Sequence, residues 1–380
     1  MIYLVTKGIY PNTAATNRYL AFTKAFNTLS IDHVNVVINP DRNFTCLDTN
    51  IYGKTKYLYA HVKCKLFRAI EYHLKYRTRI NSLLVRSFCK TLSSNDTVIS
   101  FSPQYSYYFT KYNINSAQLF QEMTEHPYAY KMFKTQQKYL EFFESCKKLN
   151  GIFTISSPIK RFYESIGINS KNINVINMVV DSSRFINISA ELNVEPYIAY
   201  CGTLLNSKDG VDDLIRSFSI VAKKIPNIKL YIIGKSPSKT ESNSNIDLIK
   251  EYQLEDRIVL TGMVPAAVMP QLLVNAKVLV LARPNSMQAE NGFPTKLGEY
   301  LLSKRPVVIT KTGDIPLFLK HKEDALLCNP GDVDNIAENI LWALENEEKA
   351  AVIGRNGCEV ALKEFNSINE TLKIIRILKD

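Results

Sequence analysis

Arg283-Pro-Asn-Ser-Met-Gln-Ala-Glu-Asn-Gly-Phe-Pro-Thr-Lys-Leu-Gly-Glu-Tyr300 decides how this chain is read. An apolar run, Val278–Ala282, leads into it, and the pattern that follows predicts a helix over Pro294–Ser303. Gly292 and Pro294 mark the turn between the two. Proline suits a first helical turn because its missing N–H is not needed there, and the free amides of such a turn attract a phosphate or a sugar hydroxyl. Glu299 lies beyond that turn, where a carboxylate accepts two hydrogen bonds from a vicinal diol such as a ribose. The same pattern also describes a capped helix with a surface glutamate, and the residues alone leave both readings open.

Outward from this segment, short β-branched runs alternate with longer helical patterns, which predicts parallel sheets built from βαβ units. In the second half the strands are expected at Tyr197–Cys201, Lys229–Ile233, Ile258–Thr261, Lys277–Ala282 and Pro306–Ile309. Helices are expected at Val211–Lys224, Ile246–Tyr252, Met269–Asn275 and Val333–Leu344. The first half is less regular, with strands expected at Ile2–Thr6, His33–Ile38, Thr97–Ser100, Ala117–Gln121, Gly151–Ile155 and Asn174–Ile176. Helical periodicity covers Asn17–Thr28 and Tyr57–Tyr76, and the polar stretch Ser236–Asn245 reads as a solvated loop. A length of 380 residues suits two such domains, with the boundary in the unpatterned segment Asp181–Pro196. Doubly wound α/β domains bind ligands at the carboxyl ends of their strands.

Charge is distributed unevenly. The chain holds 47 Lys plus Arg against 36 Asp plus Glu; residues 1–190 carry 24 and 11 of these, a net of +13, which leaves 23 and 25, a net of −2, for the rest. An excess confined to the first half points to an anionic partner: nucleic acid, a membrane face or a phosphorylated substrate. No apolar run reaches the ~20 residues of a membrane span, and Met1–Lys7 reads as a first strand rather than a secretory leader. Seven dispersed cysteines without a CxxC predict reduced thiols in a cytosolic protein and no structural zinc. There is no GxGxxG, P-loop or HExxH, and Asp332-Val-Asp334 is better read as a helix N-cap than as a metal ligand.

Gly292-Phe-Pro-Thr-Lys-Leu-Gly-Glu-Tyr-Leu301, followed by Lys304-Arg-Pro-Val-Val308, resembles the donor-site signature of the family 4 (group 1) glycosyltransferases, whose fold is GT-B. Tyr200–Ile215, Leu230–Gly234 and Val259–Gly262 are similar to that family's first strands of the donor domain, and Gly8–Arg18 to its acceptor loop and helix. The resemblance implies two Rossmann-like α/β domains facing across a cleft, an acceptor domain over 1–183 and a donor domain over 184–363. A last helix over 364–380 would cross back to the first. It also implies a bacterial surface-polysaccharide enzyme that transfers a sugar with retention, from a nucleoside-diphosphate sugar to a glycan or lipid-linked acceptor, without metal or other cofactor. Lys208 would meet the diphosphate. Gly202, Thr203, Gly234, Gly292, Phe293, Pro294, Thr295, Lys296 and Leu297 would surround the donor, and Glu299 would take its ribose. Thr16, Asn17, Arg18 and Glu125 would line the acceptor side, and His126 would reach the donor sugar.

Two departures from the pattern stand out. The family's first glutamate falls on Asn291, with Glu290 one residue earlier, and its diphosphate arginine falls on Thr203. Lys296 is a candidate for the missing cation. The basic excess centres on Lys54–Lys90, ten Lys/Arg against the single Glu71, with apolar Val62, Leu66, Ile70 and Leu74 every four residues. Such a stretch is either a face for an anionic membrane or lipid-phosphate acceptor, or a solvated helix face; nucleic acid is not expected. The expected location is therefore cytoplasmic, peripheral on the inner membrane face. The rival readings are a GT-B nucleotide-sugar epimerase and a non-catalytic binder with a degenerate cleft.

Overall fold

The computed structural model describes residues 1–9, 13–38, 46–58, 76–113, 115–129 and 131–379. It divides into two units, Met1–Asn177 with Ser367–Asp380, and Met178–Asn366. The first unit is built on β1 (Ile2–Thr6), β2 (His33–Ile38), β3 (Lys54–Leu58), β4 (Thr97–Ser100), β5 (Gln118–Met123), β6 (Gly151–Thr154) and β7 (Ile173–Val175), ordered β3-β2-β1-β4-β5-β6-β7 with parallel pairing. The second is built on β8 (Tyr197–Cys201), β9 (Lys229–Ile233), β10 (Ile258–Gly262), β11 (Val278–Leu281), β12 (Val307–Thr310) and β13 (Leu326–Cys328), ordered β10-β9-β8-β11-β12-β13, again parallel. Each is a Rossmann-like doubly wound sheet.

In the second sheet the strand order reverses between β8 and β11. Ligands of doubly wound sheets bind outside the carboxyl ends of the strands at such a switch point. The Gly202 loop leaves the end of β8 and the Arg283 segment leaves the end of β11, so the two motifs singled out in the sequence meet there. Burial explains why these strands are legible: Val278, Leu279, Val280 and Leu281 are all fully buried, the continuous apolar run of a strand covered on both faces. Helix Val211–Lys224 buries Leu214, Ile215, Phe218 and Val221 on one stripe. Each such side chain contributes about 1.5–3 kcal/mol relative to exposure.

Two expectations about the elements are corrected. Tyr57 and Leu58 are not helical: Lys54–Leu58 pairs with β2 as an edge strand, Val37 opposite Tyr57, with Lys54 and Lys56 exposed. Exposed lysines are a usual guard of a sheet edge, and they hid the strand in a basic stretch. Residues 59–75 of the expected helix lie outside the described residues; Tyr76–Cys89 beyond them is helical. Ser236–Asn245 is no loop, because Ser238 Oγ accepts the Glu241 amide and so caps a helix over Lys239–Glu251 from the run Ser-Lys-Thr-Glu. Strand β13 and helix Glu347–Glu364 had no counterpart in the sequence reading.

The division between the units falls after Asn177, ahead of residue 183, since the Val180 amide already bonds Phe365 O at 3.0 Å and Arg184 pairs within the second unit. The returning helix is Ser367–Ile377. It packs on helix Ala14–Thr28, Glu370 accepts the Asn177 amide at 2.7 Å, and Lys373 donates to Val175 O.

Candidate functional site

At the end of β8 the chain turns through Gly202, where φ is +154°, and Gly210, where φ is +63°. A Cβ on Gly210 would stand 1.8 Å from Ala282 O, and one on Gly234 would stand 1.8 Å from Gly202 O. These glycines let the three loops that follow β8, β9 and β11 touch backbone to backbone.

Between them lies a network of buried polar groups. Lys296 Nζ donates to Asp209 Oδ2 at 2.6 Å and to the Tyr200 hydroxyl at 3.1 Å, and sits 4.8 Å above the Tyr200 ring. The Tyr200 hydroxyl also lies 3.0 Å from Asp209 Oδ2 and 2.7 Å from Thr203 O. Asp209 is only 3% exposed, whereas Lys296 keeps 18%. Burial pushes the Asp209 carboxyl up, but Lys296, then Arg283 and Lys208, outweigh it and hold the carboxyl below its ordinary value. Burial lowers Lys296, against the opposing pull of Asp209. An added anion beside this lysine therefore meets a cation that is short of solvent.

The expected cation at Thr203 is absent, and Lys296 reaches the spot from another element. A Cβ on Gly202, the residue before Thr203, would fall 2.2 Å from Lys296 Nζ. Thr203 itself is exposed, and Lys208 stands half-buried in the short turn Asn206–Asp209. Ser286 ties this turn to the β11 loop, donating to Ser207 O at 2.7 Å and capping the turn Met287–Asn291 through the Ala289 amide at 3.2 Å.

Glu290 and Asn291 sit in that turn. Glu290 Oε2 accepts the Gly313 amide at 3.1 Å, and Asn291 Nδ2 donates to Met287 O at 2.9 Å. Arg283, fully buried, donates to Ala289 O at 2.9 Å and fixes the turn from beneath. The helix after Pro294 begins at Lys296 and ends at Leu302, two residues later than expected at its start, because Pro294 O accepts the Leu297 amide first. Leu297 is fully buried, so its side chain belongs to the core and not to a donor surface. Phe293 packs edge-on against Phe318 and Phe365, leaving the backbone of Gly292–Pro294 as what this turn offers a ligand. Glu299 binds Arg184 through Oε1; burial raises its pKa and Arg184 opposes that rise.

In the first unit Arg18 departs from the acceptor role. It is 2% exposed, Nε donates to Glu122 Oε1 at 2.6 Å, and its other nitrogens hold Asn177 O and Ile176 O at 2.6 and 3.0 Å. Thr16 is likewise buried and accepts from Thr13, whereas Asn17 is exposed. His126 is buried among Phe162, Tyr128 and their aromatic neighbours, with the ring of Phe162 at 4.2 Å; its Nδ1 has no partner among the described residues. Burial lowers its pKa, so the ring is neutral at pH 7. Glu125 precedes it, half-buried. Asp332 caps its helix through the Asn335 amide, as its position predicts. Among the described residues no cluster of three His, Cys, Asp or Glu side chains is placed to hold a metal ion, and no helix is long and apolar enough to cross a membrane.

Residues 195–346 match the family model described as glycosyl transferases group 1. The matched residues make up most of the second unit, so it is this unit that resembles the group 1 glycosyltransferases. Over 236 residues, 62% of this chain and 44% of the relative, the sequence is 22% identical to the poly(ribitol-phosphate) alpha-N-acetylglucosaminyltransferase of Staphylococcus aureus. Over 157 residues, 41% of this chain and 38% of the relative, it is 24% identical to the N-acetyl-alpha-D-glucosaminyl L-malate synthase of Bacillus anthracis. The chain thus spans about half the length, or less, of these curated relatives. The crystal structure of Anabaena Alr3699/HepE in complex with UDP superposes at a TM-score of 0.78 with 15% identity, covering 100% of this chain and 99% of that one. The fold of the chain is therefore GT-B.

Sequence reasoning missed Tyr200, Asp209, Arg283, Ser286 and Arg184. Asp209 lies 87 residues from Lys296 and Arg184 lies 115 from Glu299, separations that no local pattern spans.

Proposed function

We propose that the chain transfers a sugar from a nucleoside-diphosphate donor to a glycan or lipid-linked acceptor in surface-polysaccharide synthesis, with retention at the anomeric carbon. The observation that carries this reading is Lys296, delivered by the Gly292–Tyr300 segment to the mouth of the Gly202 loop and 2.6 Å from Asp209. Together with Lys208 it gives the switch point two cations where a departing diphosphate accumulates charge, the kind of stabilisation that weighs most in such a transition state. No metal is then required for that role. Glu299, one turn beyond Lys296 on the same helix face, is the acceptor for a ribose hydroxyl. Asn291 is the sugar contact in this reading, because Glu290 already serves Gly313.

In the proposed step the bond from C1 to the diphosphate oxygen breaks while the acceptor oxygen adds to C1 on the same face. The acceptor proton passes to the departing phosphate oxygen. UDP bound to the structurally similar HepE favours a uridine donor. Exposed Lys54, Lys56, Arg86 and Lys90 in the first unit favour an acceptor carried on a lipid phosphate at an anionic, cytoplasmic membrane face.

The test is a transfer assay over UDP-, GDP- and ADP-sugars with acceptor presented free or on anionic vesicles, with the product anomer read by NMR. The reading expects retention, and a rate on vesicles that high salt suppresses. An inverted product refutes the mechanism, and donor interconversion without acceptor would make the protein an epimerase.

A further inference from the structure

Arg184 lies in a single 3-10 turn, Ser182–Phe185, shortly after the chain enters the second unit. The turn is fixed from its start, where Asp181 Oδ1 accepts the Ser183 amide at 3.0 Å and the Ser183 hydroxyl at 2.5 Å. From there the guanidinium reaches across to two partners. Nη1 binds Glu299 Oε1, and Nη2 donates to Ala266 O at 2.9 Å. A fork anchored at both tines cannot swing without breaking a bond, so the carboxylate is held in one orientation. Oε2 of Glu299 takes no hydrogen bond among the described residues, and the group remains 19% exposed.

We propose that Arg184 is a positioning residue for the nucleotide: it clamps one oxygen of Glu299 and presents the other, as a carboxylate, to a ribose hydroxyl. The inference deepens the donor-binding reading above and rests on it. Glu299 follows Lys296 by three residues on one helix, so the open oxygen and the ammonium share a face, as ribose and diphosphate of one nucleotide require. The charge environment needs this clamp. Burial favours the neutral carboxyl at Glu299, the nearby Asp181 charge pushes the same way, and Arg184 is the group that opposes both. Cys201, at the end of β8, adds no charge because burial pushes its thiol up to about 12, and the buried Tyr300 hydroxyl is raised as well. A protonated Glu299 donates where it should accept and binds the diol poorly.

The sign of the pH effect follows. Without Arg184 the carboxyl titrates at higher pH, so nucleotide affinity begins to fall earlier as the solution is acidified. The experiment titrates the wild type, R184Q and R184K with the nucleoside diphosphate the wild type binds best, and with its 2′,3′-dideoxy analogue, from about pH 8 to about pH 5.5. R184Q should bind the natural nucleotide about tenfold more weakly at the acid end, and should lose the wild-type preference for it over the dideoxy analogue. R184K should recover much of both. Binding of the dideoxy analogue by R184Q reports that the variant is folded, and should R184Q not fold, R184K carries the comparison. An unchanged preference and pH profile in R184Q, or in a folded R184K an affinity loss equal for both nucleotides at every pH, overturns the positioning role. If the wild type binds no nucleoside diphosphate, the donor-binding reading fails with it, an outcome distinct from a silent Arg184.

Discussion

K296M is expected to unfold at a lower temperature than the wild type and to lose transfer, and the second substitution D209N is expected to restore the first property without the second. Asp209 is buried, and the charge that offsets its desolvation comes chiefly from the ammonium at 2.6 Å. Removing one partner of a buried pair leaves an uncompensated charge and costs about 3–5 kcal/mol. Because Lys296 retains some solvent, the lower end applies, a fall in melting temperature of roughly 6–12 °C for a unit of this size. Replacing the carboxylate by an amide removes the stranded charge, and K296M/D209N should melt close to the wild type. Catalysis should not return, since a cation facing a developing diphosphate contributes on the order of 100-fold to the rate. Differential scanning calorimetry and initial rates on the same three proteins check both halves. Recovery of activity in the double variant would make the lysine purely structural.

G234A is expected to be severely damaging for a change of one methyl group at the site. The new Cβ would stand 1.8 Å from the carbonyl oxygen of Gly202 and 3.1 Å from Leu204 Cδ1, and φ at this position is +142°, a region that suits glycine. A backbone carbonyl has no rotamer with which to escape, so relief must come from displacing the Gly202 loop. Strained backbone of this kind costs about 1–3 kcal/mol before any clash is counted. That loop also holds Thr203 O under the Tyr200 hydroxyl, so the displacement should spread into the lysine network. The variant should melt well below the wild type, and what remains folded should bind nucleotide weakly. A G262A control, where a Cβ meets nothing within 4 Å, should retain the site while sharing part of the backbone penalty. Equal behaviour of the two alanine variants would contradict the close-approach argument.

The second unit was legible because its central strands are apolar on both faces and its helices carry a clear stripe, so pattern and burial coincide. The first unit was less so. Its edge strand Lys54–Leu58 has neither an apolar run nor clean alternation, and the charges that protect an edge also mask it. Helix Lys239–Glu251 was hidden by polar composition, although Ser238 and Glu241 spelled its start. At the site, local motifs located Gly202, Gly234, Lys208, Lys296 and Glu299, but not how they are used. Arg18 shows why: the resemblance placed it on the acceptor side, and only the fold brings Glu122, 104 residues away, against it. Leu297, inside the most informative motif, turns out to face the core for the same reason that Lys296 and Glu299 keep some exposure, the helical period.

The central claim, that the switch point between β8 and β11 holds a nucleoside diphosphate, is tested most directly by calorimetric titration of the full chain with UDP, GDP and ADP. One of the three should bind at a single site, and at about 100 times its dissociation constant should stabilise the protein by about 2.7 kcal/mol. K296M/D209N and Glu299→Gln should each weaken that binding about tenfold or more. Absence of binding by all three nucleotides in the folded wild type, or full affinity in both variants, would contradict the account.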